Sequence, residues 1–348
     1  MRKMKIGIIG AGIAGLTAGR VLSKAGHDVT VYEKSRGLGG RLSTRRTHHS
    51  PPFKIDHGAP CLTATTDEFQ SFISELEKDG IVQQWTDTFG SYSQGTIYPV
   101  SPGRESGMCY VAPQGMSGIG KYLGRWVDIQ LREKIGGLTH VGGASIKKRP
   151  WMINSSTINV FEVDAVIIAT PAIQAYGLIS TAQDEINLRR MISILDDINY
   201  SSTFALMAGY GKRDPVQWKG LICEHPVISW ICNESSKRDN SESLNMVAHA
   251  SSEYTKDRYN EYQTEQVGQD MLTAAGEIMG KWAENPEWHS VHLWRYKIPS
   301  KRLDIPFMES EDDWAPLALV GDYFQGSSLE AAYLSGLRLG EHWASKFS

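Results

Sequence analysis

The stretch Lys5-Ile-Gly-Ile-Ile-Gly10-Ala-Gly12-Ile-Ala-Gly15, with Val29-Thr-Val-Tyr-Glu33 beyond it, decides how the rest of this chain is read. Its order is strand, glycine turn, helix, strand, acidic residue, as a dinucleotide-binding βαβ unit requires. Gly10 lets the chain turn sharply off the strand. Gly12, which has no Cβ, lets backbone N–H groups at the helix start, with Ile13 and Ala14, approach a pyrophosphate. Gly15 lets the helix sit close on the sheet. Glu33 ends the second apolar run, placed to accept hydrogen bonds from a ribose.

A second glycine-rich loop follows at once, Lys34-Ser-Arg36-Gly37-Leu-Gly39-Gly40-Arg41-Leu42. A domain for NAD has no use for it, whereas a two-dinucleotide-fold flavoprotein does. The paired glycines permit another backbone approach to the FAD diphosphate, and Arg41 adds charge-assisted hydrogen bonds. Asp56-His57-Gly58-Ala59 would then return the chain towards the flavin.

Two distant segments point the same way. Asp164-Ala-Val-Ile-Ile-Ala169-Thr170-Pro171 reads as a buried strand ending in small residues beneath the cofactor. Leu317-Ala-Leu-Val-Gly321-Asp322 is another, followed by a helix that starts around Ser328, Leu329, Glu330 and Ala331 and carries small residues on one face. A carboxylate at such a strand end holds ribityl hydroxyls, and the helix N-terminus favours an anionic reduced flavin. The strand from Ile129 is expected to rejoin this domain, with the Ile135 backbone meeting the adenine.

With 348 residues and 41% hydrophobic content, a substantial core in two domains is expected. The expected division is 1–63, 111–172 and 298–348 for FAD, and 64–110 and 173–297 for substrate, an α/β arrangement with a mixed sheet in the second domain. A net charge of −3 without a long basic run argues against nucleic acid as a partner. The four cysteines, Cys61, Cys109, Cys223 and Cys232, have no metal-ligand spacing, so no metal is assigned and a reduced, cytoplasmic protein fits. None lies near the C-terminal flavin segment, so the FAD is expected to be non-covalent. No apolar run reaches the length of a membrane span, so no membrane partner is expected. The basic, apolar N-terminus is read as the first strand rather than a cleaved leader.

Helical spacing predicts a helix over Thr66 to Gly80, another from Ser117 to Trp126 and a third from Gln263 to Met279. Strands are expected at Ser201–Tyr210, Val227–Cys232, Leu244–Ala250 and His289–Tyr296. The polar run from Ser235 to Ser243 reads as a surface hairpin.

Taken together, Gly10 to Gly15, Gly39-Gly40-Arg41, Tyr110-Val-Ala-Pro-Gln-Gly115-Met-Ser, Tyr200-Ser-Ser202 with Phe204-Ala-Leu206, and Lys237-Arg238 with Asn240 resemble the renalase-like proteins of the amine-oxidase-like FAD superfamily. The resemblance covers nearly the whole chain. It implies a p-hydroxybenzoate-hydroxylase-like two-domain fold with non-covalent FAD. The implied activity is oxidation of the 2- and 6-dihydro isomers of NAD(P)H to NAD(P)+, with O2 reduced to hydrogen peroxide. The chain departs from the family in the insertion-like stretch Gly136 to Ser156 and around Trp294-Arg295-Tyr296.

Hydride transfer from a dihydropyridine needs stacking, orientation and exclusion of water more than a general base, and no catalytic acid or base is assigned. Candidate pocket residues are His249, Trp294 and Arg295; Tyr200 and Gln114 rest on the resemblance alone. Each has a plainer reading: a satisfied core histidine, core filling, a surface salt bridge. Lys297, Lys301 and Arg302 read as a solvated edge able to steer an anionic dinucleotide. The alternatives are an amine oxidase, for which only Tyr323-Phe324 offers cage aromatics, a FAD-dependent desaturase or dehydrogenase, and a protein that binds flavin for structure alone.

Overall fold

The computed structural model describes residues 3–47, 53–100, 107–141, 149–182, 186–238, 243–259, 264–326 and 328–348. The chain forms two compact units, Met1–Arg41 with Ile119–Asn199 and Ile298–Ser348, and Leu42–Gly118 with Tyr200–Lys297.

The first unit is built on a six-stranded sheet. Its spatial order is Met308–Glu309, Leu317–Leu319, Ala165–Ile168, Lys5–Ile9, Asp28–Glu33 and Asp128–Leu131. All neighbours are parallel except the short edge strand Met308–Glu309. Central strands of a parallel sheet are buried on both faces, which is why Lys5–Ile9 and Ala165–Ile168 read as apolar runs. Ile6, Ile8, Val166, Ile167 and Leu317 are wholly buried. The helix Ile13–Lys24 packs on the C-terminal helix Leu329–Lys346 without intervening side chains. A Cβ on Gly336 would stand 2.1 Å from the Ala14 carbonyl oxygen, and one on Gly340 would stand 2.8 Å from Val21 Cβ.

Two parts of this unit differ from expectation. The insertion-like stretch carries a three-stranded antiparallel sheet, Ile135–His140, Trp151–Ser155 and Val160–Val163. A register shift between Ile135 and Gly137 breaks the alternation that would have announced it. Beyond Pro171 the chain forms the helices Ala172–Ile179 and Ile186–Asp196 within this unit, rather than crossing at once into the substrate part.

The second unit holds a seven-stranded sheet in the order Trp288–Pro299, Tyr200–Gly209, Asn245–Ala250, Ile228–Asn233, Gly220–Cys223, Gly90–Ser93 and Thr96–Tyr98. One face packs on the helix Thr264–Met279 through Phe204, Leu206, Ala248, Val267, Met271 and Ala275. The opposite face meets a smaller apolar cluster that includes Ile55, Trp85 and Val111. Residues 42–63 and 111–118 pack with this unit, although the sequence suggested that they belong with the cofactor. They do so because the hairpin Thr44–Arg46/Lys54–Asp56 inserts Ile55 into that cluster and Asp56 into a buried ionic network. Of the surface hairpin expected at Ser235–Ser243, the first residues form the 3₁₀ turn Glu234–Lys237, in which Lys237 is at 0% exposure, and 239–242 lie outside the described residues. Asn240 lies outside the described residues.

Candidate functional site

At the C-terminal edge of the parallel sheet, three glycines do three different things. Gly10 takes φ +106°, which an L side chain rarely adopts, and a Cβ there would also lie 2.7 Å from the Ala169 carbonyl oxygen. A Cβ on Gly15 would lie 2.3 Å from the Gly10 carbonyl oxygen. A Cβ on Gly12 would meet nothing within 4 Å. Packing therefore requires Gly10 and Gly15, whereas Gly12 leaves open space at the start of a helix that has no capping side chain. An anion fits that arrangement.

The second glycine loop lies directly on the first: Gly39 N–H donates to the Ala11 carbonyl at 2.8 Å, and Gly12 and Gly39 form a parallel bridge. Glu33 is buried and accepts from Ala11 N–H at 2.9 Å and Ser35 N–H at 2.7 Å, one on each carboxylate oxygen. Each oxygen keeps a further lone pair for a ribose hydroxyl. Thr170 Oγ1, beside Gly10, is buried with no partner. These features fit a dinucleotide laid along the sheet edge, with Gly12, Glu33, Gly39 and Gly40 as the residues that would hold it.

Arg41 and Asp322 depart from their expected separate tasks. They form a bidentate pair, with Nη1–Oδ2 at 2.5 Å and Nη2–Oδ1 at 2.9 Å, across 281 residues of chain. Most of the remaining candidates lie in the same unit. Ala169 N–H donates to the Ile9 carbonyl, Pro171 precedes the helix Ala172–Ile179, and Gly321 N–H donates to Ser335 Oγ. Ser328 caps the C-terminal helix through Ala331 N–H, with Leu329 half-buried and Glu330 buried in its first turn. Ile13 and Ala14 are buried in the first helix. Lys34 is exposed and bonds Gln174. Ile135 opens its strand two residues after Glu133, whose N–H donates to the Glu33 carbonyl. Leu42, His57, Gly58 and Ala59 belong to the second unit.

In that unit the His57 carbonyl is a hub. It accepts from Trp294 Nε1–H at 2.8 Å and faces His249 Nε2 at 3.4 Å. The His57 ring lies 4.9 Å from His292 and 5.3 Å from Trp294, and His292 lies 4.6 Å from Trp294, centroid to centroid. Burial, with His292 and Arg45 nearby, pushes His57 down to about 4. Burial, with Lys297 nearby, pushes His249 down to about 3. Both rings are therefore neutral at pH 7. Their carbonyl partners place the proton on His249 Nε2 and, through Ser43, on His57 Nδ1.

The other pocket candidates do not join this cluster. Arg295 is exposed on the strand position next to Trp294, which alternation turns to the opposite face. Tyr200 packs edge-on against Tyr296 at 5.7 Å, and Gln114 is exposed and bonded to Lys54. Lys297 is half-buried rather than part of a solvated edge, whereas Lys301 and Arg302 are exposed.

Sequence reasoning missed the support beneath the hub. Asp56 Oδ2 accepts from Arg238 Nη2 at 2.6 Å, and its Oδ1 accepts from Thr44 Oγ1 at 2.6 Å and Met116 N–H at 2.9 Å. Glu234 accepts the Asp56 N–H at 2.9 Å and pairs with Lys237 Nζ at 2.5 Å and Arg238 at 3.2 Å. Two carboxylates and two cations thus neutralise one another inside the unit and fix the residue before His57. Gly115, at φ +97° with a would-be Cβ 2.5 Å from Thr44, lets Met116 N–H reach Asp56. The Val-Ala-Pro-Gln-Gly segment was the available signal.

The first unit has the Rossmann-type architecture of a dinucleotide-binding domain. Residues 8–76 match the NAD(P)-binding Rossmann-like domain family. The chain is 28% identical to renalase of Mus musculus over 244 residues, 67% of this chain and 66% of the mouse protein's length. A 53-residue stretch is 53% identical to the L-glutamate oxidase precursor of Streptomyces diastatochromogenes, spanning 15% of this chain and 8% of that protein. The solved structure of cyclohexylamine oxidase from Brevibacterium oxydans matches with a TM-score of 0.75 at 12% identity, covering 99% of this chain and all of that one. That likeness is one of fold. The chain is thus similar to renalase over two thirds of its length and to the amine oxidases in fold.

Proposed function

We propose that the protein is a FAD-dependent oxidase of the renalase type, oxidising 2- or 6-dihydro isomers of NAD(P)H to NAD(P)+ with O2 as electron acceptor and hydrogen peroxide as product. The observation that carries this reading is the charge around the aromatic cluster. Neutral His57 and His249 and the Trp294 indole lie near Arg45 and Lys297, while the nearby carboxylate of Asp56 is neutralised by Arg238 and Lys237. Such surroundings attract a dinucleotide's phosphates and repel a protonated amine.

Bound FAD would accept two electrons as hydride from the dihydropyridine and return them to O2. The chain's own residues orient and enclose the substrate. Trp294 offers an aromatic face beside the His57 and His292 rings, and its indole N–H is held by the His57 carbonyl, which fixes the ring. Restoring pyridinium aromaticity removes no proton from the substrate, which agrees with histidines held neutral rather than poised as bases. Tyr323 and Phe324 are wholly buried and stack on each other at 4.6 Å, so they supply no open cage for a neutral amine.

Anaerobic titration tests the reading. FAD-loaded protein should bleach on addition of 6-dihydro-NAD(P) and recover its colour in air with release of peroxide. Rapid bleaching by benzylamine or dopamine without response to the nicotinamide isomers would overturn the substrate assignment.

A further inference from the structure

Three of the chain's four cysteines, Cys61, Cys109 and Cys232, meet in the smaller apolar cluster of the second unit, although they are scattered through the sequence. Leu62 and Tyr110 exchange both backbone hydrogen bonds, at 2.8 and 2.9 Å, as an antiparallel bridge. Cys61 and Cys109 are the residues that precede the two bridged positions, Cys109 in the strand Cys109–Val111 and Cys61 beside Leu62. The two thiols are close enough to perturb each other, Cys61 upward and Cys109 downward. Cys109 is fully buried and Cys61 half-buried, so Cys61 is the more accessible residue of the two. Cys223 stands apart, its thiol turned to the Leu221 carbonyl.

We propose that Cys61 and Cys109 are a redox-active pair that closes to a disulfide when hydrogen peroxide reaches Cys61. Cys61 Sγ attacks one peroxide oxygen, the O–O bond breaks, and the thiol proton leaves with the departing oxygen: Cys61–SH and H2O2 give Cys61–SOH and water. Cys109 Sγ then attacks Cys61 Sγ, the S–O bond breaks, and the departing hydroxide takes the Cys109 proton as a second water. The two thiols lose two electrons, and peroxide is reduced to two waters. The contact with Cys109 and burial hold the Cys61 thiol well above its ordinary range, so its attack on peroxide is slow and quickens as pH rises. Closure would tether the segment after His57 to the strand Cys109–Val111.

The proposal rests on the oxidase reading only for the source of peroxide, so added peroxide tests it separately. Holoenzyme treated with dilute hydrogen peroxide should lose about 2 Da and yield one linked peptide pair containing Cys61 and Cys109, reversed by dithiothreitol. Cys223 should remain open to alkylation. Cys61→Ser and Cys109→Ser should each abolish the 2 Da loss. The proposal fails if Cys61 and Cys109 stay alkylatable after peroxide, if the link goes to Cys232, or if Cys61→Ser still loses 2 Da. A protein that forms the link yet ignores dihydronicotinamides would refute the activity and leave the pair standing.

Discussion

Glu33 ties the first glycine turn to the second loop through a single side chain. Its carboxylate takes two buried backbone donors, from Ala11 in the first turn and Ser35 in the second loop. Glu33→Ala should leave both donors unsatisfied at about 1–3 kcal/mol each. FAD retention should fall in parallel, measured as 450 nm absorbance after dialysis together with the melting temperature. Full occupancy and unchanged melting would show that neither role holds. Asp322→Ala should likewise release Arg41 and weaken retention. Lys237→Met tests the buried network: it leaves Asp56 and Glu234 with Arg238 alone, and breaking one partner of such a group costs about 3–5 kcal/mol. Urea unfolding measures that loss, and a change below about 1 kcal/mol would mean water or rearrangement replaces the lysine. Glu33 was legible because its partners lie within one local motif. The network was not, because residues 56 and 234–238 are far apart and a Ser-Lys-Arg run is far more often solvated than buried.

Among the secondary-structure elements, the helices Ile13–Lys24 and Leu329–Lys346 approach closely enough that a Cβ on Gly336 would clash with the Ala14 carbonyl. Gly336→Ala should push the first helix away through the Ala14 carbonyl and destabilise by about 1–3 kcal/mol. Gly177→Ala is its control: that glycine is exposed in the helix Ala172–Ile179 with open space around its Cβ position. It should gain about 0.5–1 kcal/mol. Paired chemical denaturation curves check both, and equal behaviour would refute the packing argument. The central parallel strands were readable because burial on both faces writes them as apolar runs. The antiparallel strands from Ile135 to Val163 were not, because Gly136-Gly137 and the register shift there interrupt the period-two pattern. The helices after Pro171 were missed for a related reason, since Ala172–Ile179 shows an apolar run without a clear polar face.

For the whole molecule, acid should be the weak side. Unfolded histidines titrate near 6.5, whereas His57 and His249 titrate near 4 and 3 in the native protein, driven first by burial. Between those values the unfolded chain binds more protons, so stability rises with pH and falls as the solution is acidified from about 6.5 towards 4. At full slope each histidine contributes about 1.4 kcal/mol per pH unit. Burial alone would raise Asp56, but Lys237, Arg238 and the Thr44 and Met116 donors hold it below the ordinary carboxylate range. Its contribution is present above the unfolded carboxylate range near 4 and is lost at still lower pH. Urea midpoints at pH 7.5, 5.5 and 4.5 should therefore decline, and a His57→Asn/His249→Gln variant should show a flatter decline. No helix among the described residues is long and apolar enough to cross a membrane.

The Arg41–Asp322 clasp has a consequence for how the chain is made. A ribosome delivers Arg41 and the first helix long before it delivers Asp322 and the C-terminal helix that covers Ala14 and Val21. Throughout that interval the nascent polypeptide carries a glycine- and alanine-lined helix face with nothing on it. Closure of this unit then waits until the strand Leu317–Leu319 and the helix Leu329–Lys346 have left the ribosome.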